Sequence, residues 1–289
     1  MSFKLYNNVH CYYDDVYGVM MKHEAQNIIP LGNLAIGKEG KDKTAWRDPA
    51  NWIMAAVSDS DGVQMTLFMT PPHGVVLYAA DNKINDEAIN CAVQSLIDYT
   101  VPTVMAEKEL AKRFAAAYTA AKNMKYELKM DQRIYELEKV NDDIKQFGKL
   151  RLVNDSDMPY LPFWLEAFYS AADNIANTTM LIPNNFEHYE YLISKNENYV
   201  LEIDGKPVSI AGISRKVENV ICIGRVYTPP YFRGKGYASS CVAMLSQRAL
   251  DMGFKKCALY TDLANPTSNN IYQKIGYKPI CDSVMLKFI

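Results

Sequence analysis

Hydrophobic and polar positions along residues 51–79 follow a strand pattern. Asn51 to Val57 is an apolar run, Asp59-Ser60-Asp61-Gly62 is a hairpin signal, and Val63 to Met69 alternates as the partner strand. Pro71-Pro72-His73-Gly74 turns the chain into a third strand, Val75 to Ala79. The period then changes. Asp86 to Tyr99 carries apolar residues at Ala88, Ile89, Ala92, Val93, Leu96 and Ile97, which predicts a helix. A short apolar strand, Val101 to Met105, leads into Glu107 to Lys122, an Ala- and Lys-rich helix without Gly or Pro. Met124 to Leu137 alternates again as a long strand or hairpin. Upstream, residues 9–26 are a short amphipathic stretch rich in Tyr and Met, and residues 46–49 form a turn.

The same order returns. Lys149 to Val153 is a strand, and Asp155-Ser156-Asp157 offers a helix N-cap before Leu161 to Ala172. Asn198 to Ile203 and Pro207 to Ile213 flank an Asp204-Gly205 hairpin signal, and Ile221 to Thr228 is a third strand stopped by Pro229-Pro230. Tyr237 to Met252 has helical spacing and Gly253 suits its left-handed end. Lys256 to Thr261 is a strand. Pro266 to Ile275 is a helix with Asn265 as N-cap and Gly276 after its end, and Tyr277 to Phe288 is a last strand. Each half therefore reads as hairpin, third strand, helix, strand, helix, terminal strand. A duplication divided at the polar segment 141–148 accounts for this, giving residues 1–145 and 149–289 as the two domains of an α/β (α+β) chain.

Composition narrows the function. The 289 residues are 49% apolar and 22% charged, enough to bury a sizeable core. A net charge of −2 lacks the basic footprint of a nucleic-acid binder. No apolar run approaches the ~20 residues that span a bilayer, so no membrane role is expected. The N-terminus has no signal-peptide core, and we expect no export and a cytoplasmic protein. The six cysteines and four histidines lack the close pairs of metal sites, so no metal is expected. Cys222, Cys241 and Cys257 lie in apolar stretches, where a thiol packs as a small hydrophobe.

One constellation carries chemistry. Val226-Tyr227-Thr228-Pro229-Pro230-Tyr231-Phe232-Arg233-Gly234-Lys235-Gly236-Tyr237-Ala238 ends a strand, breaks it with prolines and opens a helix through a Gly-rich turn. A helix N-terminus offers unpaired N–H groups and partial positive charge. Gly234 and Gly236 remove the Cβ atoms that would keep a phosphate from those amides, and Arg233 and Lys235 add cations. A pyrophosphate is the expected ligand. GxxxxGK[ST] is absent, and GxGxxG would need a Gly where Ser239 stands.

These residues resemble the acetyl-CoA loop of the GNAT superfamily of N-acetyltransferases, whose pattern is [Q/R]-x-x-G-x-[G/A] followed by a helix. Gly234 and Gly236 fit, while Tyr231 stands at the Gln/Arg position. A second signature, an Asn-led helix with a Tyr and then Gly-aromatic, stands as Asn265, Tyr272, Gly276 and Tyr277. The resemblance covers roughly residues 150–289. It implies two tandem GNAT-like domains, each a mixed, mostly antiparallel sheet flanked by helices. It implies acetyl-CoA as co-substrate, bound by Val226, Tyr227, Thr228, Arg233, Gly234, Lys235, Gly236, Tyr237, Ala238 and Asn265. It makes Tyr272 the candidate proton donor to the leaving thiolate, and a small-molecule or peptide amine the acceptor. Asn265 keeps two readings, helix cap and pantetheine contact.

The first half resembles the same fold with its site erased. Ala79 to Glu87 has no Gly, and Asp81, Asp86 and Glu87 crowd the helix start, where they would repel a pyrophosphate. The general base stays open between Glu202, Glu218 and a water chain. The acceptor pocket is expected from residues 160–192, with Tyr160, Phe163, Trp164, Phe168, Tyr169, Phe186, Tyr189 and Tyr191 as core or lining. Glu166, Asp173 and Glu187 are candidate holders of a cationic amine. An acetyl-CoA-binding regulatory module without catalysis is the competing function. A structural tandem domain binding a protein partner is a third.

Overall fold

In the computed structural model, residues 1–40, 48–173 and 186–289 are described. Part of the expected turn at 46–49 lies outside them. The chain forms two compact units, Met1–Ile134 with Ile280–Ile289, and Tyr135–Pro279. Both edges differ from a division into 1–145 and 149–289. The C-terminal edge differs because the last strand pairs within the first unit.

The first unit holds β1 (Ser2–Tyr6), α1 (Val9–Met21), α2 (Ile28–Glu39), β2 (Ile53–Asp59), β3 (Gly62–Met69), β4 (Val75–Ala79), α3 (Asp86–Ser95), β5 (Thr103–Glu107), α4 (Lys108–Lys122) and most of β6 (Tyr126–Leu137). Its sheet runs β1-β2-β3-β4-β5 and is continued by β12 (Lys278–Phe288), antiparallel to β5 with Val284 opposite Ala106. Pairing is antiparallel except between β4 and β5. The apolar faces of α3 and α4 cover one side. Ala88, Ile89, Ala92 and Val93 join Leu110, Ala111, Phe114 and Tyr118 over Ala55, Leu67 and Leu77. Truncating a fully buried ring such as Phe114 costs about 3–5 kcal/mol in cores of this kind. Tyr12 of α1 is also fully buried, and its hydroxyl donates to the Leu67 carbonyl at 3.0 Å.

The second unit repeats the order with β7 (Lys149–Leu152), α5 (Leu161–Asp173), α6 (Phe186–Ser194), β8 (Asn198–Ile203), β9 (Lys206–Lys216), β10 (Val220–Tyr227), α7 (Tyr237–Asp251), β11 (Lys256–Asp262) and α8 (Pro266–Ile275). Its sheet runs β7-β8-β9-β10-β11, again antiparallel except for the last pair, β10 with β11. Leaving short 3₁₀ turns aside, both halves of the sequence read β, α, α, β, β, β, α, β, α, β. The repeated order thus extends upstream of the hairpins, to β1, α1 and α2 and to β7, α5 and α6.

Alternation along the strands of the second unit feeds two apolar clusters. Tyr199, Leu201, Ile221 and Ile223 pack with Val242, Leu245 and Ala249 of α7 and Tyr272 and Ile275 of α8. Val200 and Ile210 pack with Leu161, Trp164 and Leu165 of α5 and Tyr189 of α6. Arg151 of β7 anchors the turn before α5, reaching both oxygens of Asp157 at 2.7 and 2.8 Å and Glu202 at 2.8 Å.

Candidate active site

Strands β10 and β11 pair in parallel only from Val220 opposite Lys256 to Cys222 opposite Ala258. β10 continues to Tyr227 and β11 to Asp262, so the far half of each lacks the other as a ladder partner. On its other edge β10 stays joined to β9, with an irregularity between Gly224 and Tyr227. There Arg225 takes φ 52°, a left-handed value that a non-glycine residue adopts at a cost. The bulge interrupts the ladder beside Val226 and Tyr227, leaving main-chain groups for another partner.

Beyond β10 the chain is pinned and then released. Thr228 is buried, its hydroxyl 2.8 Å from that of Ser209, and Ser209 also donates to the Tyr227 carbonyl at 3.2 Å. Arg233 turns back, its Nε donating to the Thr228 carbonyl at 2.9 Å with its guanidinium carbon 5.8 Å from the Tyr227 ring centre. One cation expected at the pyrophosphate therefore also closes the loop. Gly234 and Gly236 take φ 75° and 80°. A Cβ on Gly234 would meet open space, whereas one on Gly236 would lie 3.3 Å from the Phe147 ring. Lys235 is exposed. Helix α7 starts after Gly236 with no side-chain cap, and Tyr237 and Ala238 form its half-buried first turn. The ring of Phe147 is held there by its own backbone. Its N–H donates to buried Ser240 Oγ at 2.7 Å, and Ser240 Oγ donates to its carbonyl at 3.1 Å.

Helix α8 supplies the second group of residues. Asn265 is its N-cap, accepting from the Ser268 N–H at 3.1 Å. Asn269, not singled out from the sequence, donates to the Asp262 and Asn265 carbonyls at 2.9 and 2.8 Å and accepts from the Tyr135 hydroxyl at 3.0 Å. Tyr272 lies one turn further on, 8% exposed, and burial pushes its hydroxyl up to about 12. Among the described residues its hydroxyl has no hydrogen-bond partner, while its ring packs against Tyr135 and Tyr277. Val226, Phe232 and Tyr237 border the same apolar cluster, which brings the loop, the end of β10 and α8 to one core.

Residues 160–277 match the family model described as Acetyltransferase (GNAT) family. These residues are a GNAT domain. A curated relative, the uncharacterized N-acetyltransferase YjgM of Escherichia coli (strain K12), is 32% identical over 106 residues, covering 35% of this chain and 64% of the relative. The chain thus spans less than two thirds of that relative's length. A GNAT-family acetyltransferase from Colwellia psychrerythraea has the same fold at 12% identity and TM-score 0.57, covering 100% of this chain and 99% of its own. A tandem GNAT protein from the clavulanic acid biosynthesis pathway is similar at 10% identity and TM-score 0.50, with 100% and 98% covered.

The other candidates around the GNAT domain are mostly structural. Glu202 is bound to Arg151, and Glu218 sits exposed in the β9–β10 turn. Glu166 is buried and accepts from the Tyr189 hydroxyl. Trp164 and Tyr189 are core, with Tyr160 packed against them, whereas Phe163 and Tyr191 are exposed. Glu187 is exposed, and the side chains of Asp173 and Phe186 lie outside the described residues. Cys222, Cys241 and Cys257 are buried thiols, as their apolar surroundings predict. Trp164 stands 6.3 Å from Tyr227, so α5 covers the end of β10.

The first unit has the same geometry with its helix start filled. β4 and β5 pair only from Val75 opposite Val104 to Val76 opposite Met105. Helix α3, however, is capped by Asn85, whose side chain accepts from the Glu87 and Ala88 N–H groups at 2.9 and 3.3 Å. Asp81 and Asp86 are ion-paired with Lys22 and Arg113.

Proposed function

We propose that the GNAT domain binds acetyl-CoA at the opening of α7 and transfers the acetyl group directly to an amine. The observation that carries this reading is the parting of β10 and β11 after Cys222 and Ala258, beside a helix that opens uncapped through Gly234 and Gly236. Amide donors at Gly236, Tyr237 and Ala238 suit the pyrophosphate, with Lys235 supplying charge. The edges of Val226, Tyr227 and Thr228 suit the amides of the pantetheine arm, and Asn265 combines its cap with a contact to that arm. When bound, acetyl-CoA supplies a thioester carbonyl as the electrophile.

The chain's own groups then have separable tasks. A main-chain N–H at the β10 bulge donates to the carbonyl oxygen as negative charge grows there. The Tyr272 hydroxyl keeps its proton throughout the physiological range, because burial penalises the tyrosinate. It donates toward the leaving sulfur as thiolate charge develops. The amine loses its proton through water, since Glu202 is committed to Arg151. The amine is a small molecule or the terminus or side chain of a peptide, and the reaction is cytoplasmic. Asn85 occupies the corresponding amides of the first unit, which supports one donor site per chain.

A screen of amines read as release of free thiol from acetyl-CoA tests this reading. At least one amine is expected to release thiol, with the acetylated amine seen by mass spectrometry. Tight binding of acetyl-CoA without thiol release to any amine would make the domain a binding module.

A further inference from the structure

The β9–β10 hairpin carries two guanidinium groups that have no carboxylate partner among the described residues. Arg225 projects from the β10 bulge, Nε donating to Asn198 Oδ1 at 2.7 Å and one terminal nitrogen to the Ile213 carbonyl at 2.6 Å. Gly212 makes the space, since a Cβ there would lie 2.8 Å from that guanidinium. Arg215 of β9 stands opposite Cys222, one side of the same bulged hairpin. Its Nε is buried and, among the described residues, has no hydrogen-bond partner. Among the described residues neither arginine forms an ion pair. Glu197, whose charge acts on Arg225, is paired with Lys216 at 3.0 Å. Burial and the neighbouring Arg215 both hold the Arg225 pKa below the ordinary guanidinium value, with Tyr169 of α5 and Glu197 opposing them.

Both arginines are half-buried, a partly desolvated cation is stabilised by an anion that meets it, and a guanidinium fork matches a carboxylate. Arg225 immediately precedes Val226, and α5 closes over the end of β10 through Trp164 and Tyr227. Arg225 thus borders the end of β10, and Arg215 lies further back on β9, opposite Cys222. We propose that the acceptor is an amine that also carries a carboxylate, held by Arg215 and Arg225 so that its amino group faces the bulge. This rests on the acetyl-transfer reading above. Arg225 both shapes the bulge and contributes charge, while Arg215, whose Nε has no hydrogen-bond partner among the described residues, is the specific contact.

The test is a matched panel on the full chain: α-amino acids, β-alanine, γ-aminobutyrate and dipeptides, each compared with its C-terminal amide. Every acetylated member is expected to exceed its amide in kcat/KM by at least about tenfold, the worth of one charge-assisted bond. Arg215→Gln is expected to bring that ratio toward one by raising KM for the acid. Arg215→Lys is expected to restore part of it. Equal use of acids and amides, or acetylation of neutral or cationic amines alone, would overturn the proposal. So would an acid-over-amide ratio unchanged in Arg215→Gln, or no acetylation of any acid by protein that binds acetyl-CoA. Failure to bind acetyl-CoA in a calorimetric titration of the same sample would instead overturn the acetyl-transfer reading.

Discussion

Cys222 of β10 and Ala258 of β11 are the last residues at which these parallel strands pair. Beyond them each strand keeps a row of main-chain groups that its neighbour does not use. In a sheet such groups are obligatory hydrogen-bonding sites, so the gap is a place for an extended ligand. The same gap exists in the first unit after Val76 and Met105. What separates the two is the helix that follows, capped by Asn85 in one and opened through Gly236 in the other.

Tyr272→Phe removes a hydroxyl without hydrogen-bond partners among the described residues, so packing should be nearly unchanged. If the hydroxyl serves the leaving thiolate, kcat should fall about 10²–10⁴-fold while KM for acetyl-CoA stays constant. Steady-state kinetics with the best amine checks this. A changed KM with intact kcat would make Tyr272 a packing or binding residue.

Stability should decline on the alkaline side. Cys241 and Cys257 are pushed by burial from 9.0 to about 12, and Tyr272 from 10.0 to about 12. A raised folded-state value means that the unfolded chain releases its proton first. The contribution of these groups is complete below about pH 9 and shrinks as pH rises toward 12. Thermal melts should give a level Tm up to about pH 9 and a falling one above it. Replacing Cys241 by Ala should flatten the first part of that fall.

Arg151→Met should be strongly destabilising. It leaves Asp157, 2% exposed, without the partner that reaches both its oxygens. Breaking one side of a buried pair costs about 3–5 kcal/mol, and urea unfolding of the two proteins measures the difference. Despite the opposing effect of burial, Arg151 and Tyr160 hold the Asp157 carboxyl below its ordinary value. Its contribution is therefore present above pH 3.8 and lost as pH falls below that.

Much of this was legible because strands with one buried face alternate and because turns announce themselves. The hairpins around Asp61-Gly62 and Asp204-Gly205 fall where the sequence predicts them. Helix α2 was not legible. Seven of its residues are buried, including Gly32, Asn33 and Gly37, so it lacks the polar face that reveals a helix, and Pro30 and two glycines disguise it. β1 hides for the opposite reason, since only Tyr6 of its five residues is buried. The strand at 277–288 was readable, but its partner β5 lies far away in sequence and is chosen by tertiary packing. At the site, Gly234 and Gly236 are legible as a Gly-rich turn opening a helix and Asn265 as a helix cap, whereas Tyr272 is singled out by the family resemblance alone. Ser209, Asn269 and Arg225 were not legible, because what they do depends on backbone irregularity and on partners across strands. Asn85 before Asp86-Glu87 is an N-cap of a type that sequence shows, since Asn is favoured at that position.

The most direct measurement is calorimetric titration of acetyl-CoA into the full chain and into Gly236→Val, with Tm recorded for both. Gly236 sits at φ 80°, and an added Cβ meets the Phe147 ring at 3.3 Å. The β-branched side chain adds about 1–2 kcal/mol of backbone strain and stands where the pyrophosphate meets the amides. The expected result is one site per chain, with affinity at least about tenfold weaker in the folded variant. Two equivalent sites, or unchanged affinity in folded Gly236→Val, would contradict the assignment of the donor to the opening of α7.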